Sequence, residues 1–263
     1  MEFRLLGPVE AWVGPRQVNI GPRKQRLALA LFALDVNRPV TVDRLVELIW
    51  PFSPPRTARH AIHVGVSRLR AALADADDGD AGIVTRGATY SWRADPLLVD
   101  VHRFRSLVAA AHNGIGDLNV KVRALGEAIA LWRGPPMADV AGPSVDQLCC
   151  GLVEARLAAW EDYLDGELRL GHHSTAIGPL IDLVGEHPHR QRLVALLMLA
   201  HYRSGRAHEA LRSYRLLRGQ LASEFGLDPH AELQNLQGAI LRADASLDLP
   251  RPALVDHPPP TAA

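Results

Sequence analysis

Apolar positions along the chain keep two rhythms. Up to about residue 95, short alternating stretches are interleaved with helical runs; beyond it, apolar residues recur almost throughout at the three- and four-residue intervals of helices. In the first part, Phe3 to Trp12, broken by Gly7-Pro8, and Gln17 to Ile20 read as short strands, with Gly14-Pro15 as the turn between them. From Pro22, at a first helical position, RKQRLALALFALD sets Leu27, Leu31 and Leu34 on one face. Thr41 opens a second helix, VDRLVELIW, with Leu45, Leu48 and Ile49 inward and Pro51 as its stop. The spacing predicts a third helix from Arg56 to Ala72, in which Ala58, Ile62, Val66 and Leu69 form one stripe continued by Leu73. Asp77-Asp78-Gly79-Asp80 reads as an exposed turn, and Ile83 to Arg86 and Thr89 to Trp92, around Gly87-Ala88, as a hairpin. Two short helices, a stiff loop (PFSPP), a third helix and a hairpin make a winged helix-turn-helix.

Asp95-Pro96 marks the expected boundary of this first domain. Helical periods then cover Val101 to His112, Val120 to Trp132, Val145 to Leu170, Ala176 to Glu186, Arg190 to Ser204, Ala207 to Phe225 and Pro229 to Ala243. Within them Gly171, Ala176, Leu180, Leu183 and Pro188 are matched 34 residues later by Gly205, Ala210, Tyr214, Leu217 and Ala222. That period belongs to tetratricopeptide helix pairs, whose stacking builds a partner-binding surface. The expected fold is therefore mainly α with small β-sheets: a winged helix-turn-helix domain over residues 1–95, then a TPR-like repeat domain over 98–245. A proline-rich, disordered tail is expected over 246–263.

The outward face of the third helix changes the picture from fold to chemistry. It carries Arg56, His60, Val64, Ser67, Arg68 and Ala71, with His63 and Arg70 at its margins, and no acid before Asp75. Such a helix fits the major groove: guanidinium groups pair with guanine or phosphate, and small apolar side chains meet a thymine methyl. Charge supports this locally. The whole chain is formally neutral, yet residues 21–70 hold nine basic side chains against Asp35, Asp43 and Glu47. Arg23, Lys24 and Arg26 stand at the start of the first helix, where they oppose its dipole, so an anionic partner explains them better than helix stability does.

At these residues the chain resembles a known family. ValSerArgLeuArg (Val66 to Arg70) followed by IVTRGATYSW (Ile83 to Trp92) resembles the recognition helix and wing of OmpR/PhoB-type domains. With GPRKQRLALALFAL, VTVDRLVELIW and PPRTAR upstream, the chain is similar to the small form of the SARP family, the Streptomyces antibiotic regulatory proteins. RLAAWEDYLDGELRLGHH, HYRSGRAHEALRSYRLLR and FGLDPHAELQNLQ resemble its bacterial transcriptional activation domain. The resemblance implies a transcriptional activator, pathway-specific for a secondary-metabolite (antibiotic) gene cluster, that binds direct repeats on double-stranded DNA head to tail as a dimer. It implies recruitment of the RNA polymerase holoenzyme through its sigma factor and other subunits, the alpha C-terminal domain among the candidates. Arg86 at the wing tip would contact the minor groove or backbone, and Pro51, Phe52, Ser53 and Pro54 would touch polymerase.

Other classes find less support. The chain has no phosphate-binding glycine loop, nucleophile elbow or His-Glu-x-x-His, so no enzyme is expected. Adjacent Cys149-Cys150 suit neither a disulfide framework nor a zinc site, and no cofactor or metal is expected. Without a signal segment or an apolar run of about 20 residues, a cytoplasmic protein with no membrane partner is expected. Two alternatives stay open: a helical-repeat scaffold that no longer reads DNA, and a ligand-gated repressor with a pocket in residues 98–245.

Overall fold

The computed structural model describes residues 1–74, 82–113 and 117–249, and the chain packs as two compact units that divide between Trp160 and Glu161. The turn expected at Asp77 to Asp80, and the chain from residue 250 on, lie outside the described residues.

The first unit opens with a three-stranded antiparallel sheet of β1 (Glu2–Arg4), β2 (Glu10–Val13) and β3 (Arg16–Val18), Phe3 opposite Ala11 and Ala11 opposite Val18. Helix α1 (Arg23–Leu34) follows. Its run LALALFAL is buried on nearly every side, more than the one-faced pattern of Leu27, Leu31 and Leu34 predicts, and Leu34 itself is only half-buried. A helix apolar all round belongs inside. Strand β4 (Pro39–Thr41) was not anticipated as a strand; it pairs with β6 (Thr89–Arg93), which pairs in turn with β5 (Gly82–Arg86). Thr41 then caps α2 (Val42–Ile49), its hydroxyl accepting the Arg44 N–H at 3.1 Å.

Helix α3 is Ala58–Ala74, two residues later at its start than expected. The Pro55 carbonyl takes the Ala58 N–H at 2.9 Å, which leaves Arg56 and Thr57 as the middle of a turn. The stripe of Ala58, Ile62, Val66, Leu69 and Leu73 is buried as its spacing predicts. Also buried in this unit are Leu31, Phe32, Leu45, Tyr90 and Trp92, with Trp92 edge-on to Phe3 at 4.3 Å between centroids.

This packing does not stop at Asp95-Pro96. Helices α4 (Asp100–Asn113) and α5 (Leu118–Ala130), and α6 (Pro143–Arg169) as far as Trp160, belong to the same compact unit. Polar groups make the join. The buried Asp100 carboxylate accepts the Leu5 N–H at 2.8 Å and the Leu6 N–H at 3.0 Å, and Arg133 lies 3.4 Å from it. The Arg133 and Met137 N–H groups donate to the Leu6 and Leu5 carbonyls at 2.7 and 2.9 Å. Asp139 accepts the Val9 N–H at 2.7 Å and pairs with Arg26 at 2.6 Å. Each of these contacts joins residues remote in sequence.

In the second unit α7 (His173–Glu186), α8 (Gln191–Arg203), α9 (Ala207–Phe225) and α10 (Ala231–Leu241) follow one another. The repeat is visible in the backbone. Gly171 and Gly205 both take left-handed φ, 92° and 76°, where glycine is at no disadvantage. One residue on, the His172 N–H closes on the Glu167 carbonyl at 2.9 Å and the Arg206 N–H on the His201 carbonyl at 2.8 Å. Ala176, Leu180, Ala210, Tyr214 and Leu217 are buried, whereas Leu183 is half-buried and Ala222 exposed. Beyond α10 a 3-10 turn, Ala245–Leu247, keeps order past residue 246, where the disordered tail was expected to begin: the Leu247 carbonyl accepts Arg203 Nε at 2.7 Å.

Candidate nucleic-acid interface

Helix α3 presents its second face because its first is filled. With the inward stripe buried, the opposite side must face solvent, and His60, Ser67, Arg68 and Ala71 are exposed there, Val64 half-buried among them. Arg56 is exposed in the turn just ahead of the helix. Among the described residues the side chains of Arg56, His60 and Arg68 have no hydrogen bond or ion pair, and their cationic or imidazole groups stand open to an external acceptor. Asp43 on α2 is held 2.6 Å from Arg59, an ion pair that links α2 to α3.

His63 and Arg70, at the margins of this face, turn toward the hairpin. Arg70 donates through Nε to the Ile83 carbonyl at 2.7 Å and through its terminal nitrogen to Thr85 Oγ1 at 2.6 Å, with its guanidinium 5.6 Å from the Tyr90 ring. His63 Nδ1 bonds the Tyr90 hydroxyl. Burial pushes the Tyr90 phenol above its ordinary range, against the opposing pull of Arg70, so it stays neutral at physiological pH. These two side chains lock the wing onto the helix. The hairpin turns through Gly87 (φ 58°) and Ala88, with Thr89 Oγ1 donating to the Arg86 carbonyl at 2.8 Å. Arg86 stands exposed beside that turn.

The basic start of α1 is divided. Arg23 donates to the Val140 and Ala141 carbonyls at 2.9 and 2.8 Å, and Arg26 pairs with Asp139 and donates to the Gly21 carbonyl at 2.7 Å. These contacts account for both residues within the first unit, without the anionic partner that the sequence invoked. Lys24 lies exposed over the Trp50 ring, 4.5 Å from its centroid. The loop from α2 to α3 is open throughout: Pro51, Phe52, Ser53 and Pro54 are exposed, and Phe52 keeps 85% of its surface in solvent.

The residues that position this surface were the ones sequence reasoning missed. Asp43, Asp100 and Asp139 each pair with a group that periodicity leaves unspecified, and the one local signal was that Asp100 opens a helix next to apolar Val99 and Val101.

Comparison with known proteins covers nearly the whole chain. The bacterial transcriptional activator domain matches residues 99–241. The regulatory protein AfsR of Streptomyces griseus is 37% identical over 99% of this chain, which spans about a quarter of AfsR (26%). The regulatory protein DnrI of Streptomyces peucetius is 34% identical, with 94% of each chain covered. Among solved structures, Mycobacterium tuberculosis EmbR in complex with a low affinity phosphopeptide superposes with a TM-score of 0.84 at 34% identity, over 92% of this chain and 65% of that one.

Proposed function

Because the chain belongs to the SARP family of transcriptional regulators, we propose that it activates a secondary-metabolite (antibiotic) gene cluster by reading DNA with α3 and holding RNA polymerase nearby. The observation that carries this reading is the outward face of α3, acid-free and open at Arg56, His60, Ser67 and Arg68, with Arg86 exposed at the wing. Base contacts fall to His60, Val64, Ser67 and Arg68; Arg56, Arg86 and Lys24 position the protein on phosphates or in the minor groove. Two copies bind direct repeats head to tail, with repeats about one helical turn (~10–11 bp) apart so that both recognition helices meet one face of the duplex. The loop Pro51 to Pro54, with Phe52 outermost, meets polymerase at its sigma factor, and other subunits join the contact. The mechanism is recruitment: no bond of DNA or protein is made or broken, and no cofactor takes part.

The test is a binding assay with DNA from upstream of the neighbouring biosynthetic genes and with unrelated DNA at one salt concentration. Arg68→Ala and Val64→Glu are compared with the unsubstituted chain. Sequence-preferring binding that Val64→Glu abolishes supports groove reading. Equal binding to both DNAs at the non-specific level, about 10⁻⁴ to 10⁻⁶ M, untouched by either substitution, would overturn it in favour of a scaffold.

A further inference from the structure

Helix α9 turns Ala210, Tyr214, Leu217 and Leu221 into the core of the second unit. At 100° per residue the opposite side is Arg212, Arg215, Leu216, Gly219 and Ser223, all exposed. The helix carries two acids, and both are engaged with histidines: Glu209 with His208 at 2.9 Å and Glu224 with His189 at 3.2 Å. The Arg212 side chain makes no hydrogen bond or ion pair among the described residues, and Arg215 Nε donates to the Leu211 carbonyl of the same helix at 3.3 Å. Arg218, at the flank, pairs with Asp228, 3.7 Å away on an exposed loop. Like charges three residues apart weaken a helix, so nothing among the described residues of this unit explains the stripe.

Two further features lie between the arginines. Leu216 leaves 60% of its surface in water at the centre of the charged face. Gly219 sits in mid-helix, where glycine is a poor choice, with open space over the position a Cβ would take. An apolar centre, flanking arginines and a place where another backbone can come close are the composition of a protein interface. A nucleic-acid backbone would use the arginines but gain nothing from an exposed leucine.

We propose that this face of α9 docks an acidic amphipathic helix of a partner protein, its carboxylates on Arg212 and Arg215 and its apolar ridge on Leu216 and Gly219. The surface from Arg212 to Ser223 is about 17 Å long at 1.5 Å per residue, enough for three turns of a helix laid along it. The site lies wholly in the second unit and does not depend on how α3 reads DNA.

The experiment uses the full chain and fluorescence anisotropy with three labelled probes. One is an amphipathic helical peptide with leucines on one face flanked by glutamates, the second its twin with every glutamate replaced by glutamine, and the third a random-sequence DNA duplex. The acidic peptide is expected to bind about tenfold or more tighter than its twin. Arg212→Glu with Arg215→Glu, and separately Leu216→Ser, should each weaken it about tenfold while duplex binding stays within about twofold. All three positions are exposed, and circular dichroism checks that the variants stay folded. No preference for the acidic peptide, or a preference that survives both variants, overturns the proposal. Duplex binding that falls as far as peptide binding assigns the stripe to nucleic acid and overturns it too, whereas failure of α3 variants to alter DNA binding would touch only the reading of the first unit.

Discussion

Replacing Asp100 with alanine tests whether α4 to α6 are part of the DNA-reading unit or merely follow it. The carboxylate accepts two backbone N–H groups, Leu5 at 2.8 Å and Leu6 at 3.0 Å, in a site where Asp100, Leu5 and Leu6 are all buried. Alanine leaves both donors without an acceptor, at about 1–3 kcal/mol each, so the loss lies at about 2–6 kcal/mol. The middle of that range is expected, because Arg133 keeps Glu10 at 2.7 Å when Asp100 goes. Asp100→Asn retains a carbonyl acceptor and should cost less. All five tryptophans, Trp12, Trp50, Trp92, Trp132 and Trp160, lie in the first unit, so urea unfolding followed by tryptophan fluorescence reports on it alone. A loss below about 0.5 kcal/mol in Asp100→Ala would mean that these bonds do not hold α4 to the first strands. The pH dependence adds a second check. Burial, the largest influence, raises the Asp100 carboxyl above its ordinary value of 3.8, although the Leu6 and Leu5 N–H groups and Arg133 pull it down. A raised folded-state value means that the stability it contributes is present at low pH and lost as pH rises through that value. The unsubstituted chain should therefore gain on Asp100→Asn between about pH 7 and about pH 4.

Arg68→Ala should reduce the slope of log affinity against log salt by about 1, the signature of a lost phosphate contact, or else relax base preference at one position. Arg70→Ala should leave that slope unchanged, since its guanidinium is spent on Ile83 and Thr85, but lower the stability of the first unit by about 1–2 kcal/mol. Phe52→Ser, at a side chain 85% exposed, should leave unfolding and DNA binding unchanged and reduce activated transcription in a purified system; equal transcript yield would remove the loop from the polymerase contact. Gly205→Ala should destabilise the second unit by about 1–2 kcal/mol although no atom crowds it, because its φ is 76°; circular dichroism in denaturant measures this.

What could be read from the sequence was what repeats or punctuates. Ala58, Ile62, Val66, Leu69 and Leu73 announced both faces of α3, and the hairpin around Gly87 followed from short β-rich runs. The 34-residue period placed Gly171 and Gly205 at equivalent turns. What could not be read was what joins distant residues. Basic charge at the start of α1 pointed outward, yet the acceptors of Arg23 lie 117 and 118 residues further on. His63 and Arg70 share a helix with the open face but answer to Tyr90, Ile83 and Thr85 on the hairpin. Strand β4 is three residues long, too short for alternation to show, and exists because β6 offers it partners.

The closures at His172 and Arg206 each span five residues, so each of these two repeats carries its own turn and sets its own register. A 34-residue segment copied in tandem there would bring along the bonds that terminate one helix and launch the next, and the array could lengthen by whole steps, as repeat arrays do. The described residues of the first unit show no such joint: the connection from β1 to β2, at Leu5, Leu6 and Val9, is held by Asp100 and Asp139. Growth by duplication is open to the repeat-bearing part of this chain, while in the first unit any change to α4 must still satisfy the Leu5 and Leu6 N–H groups that Asp100 holds.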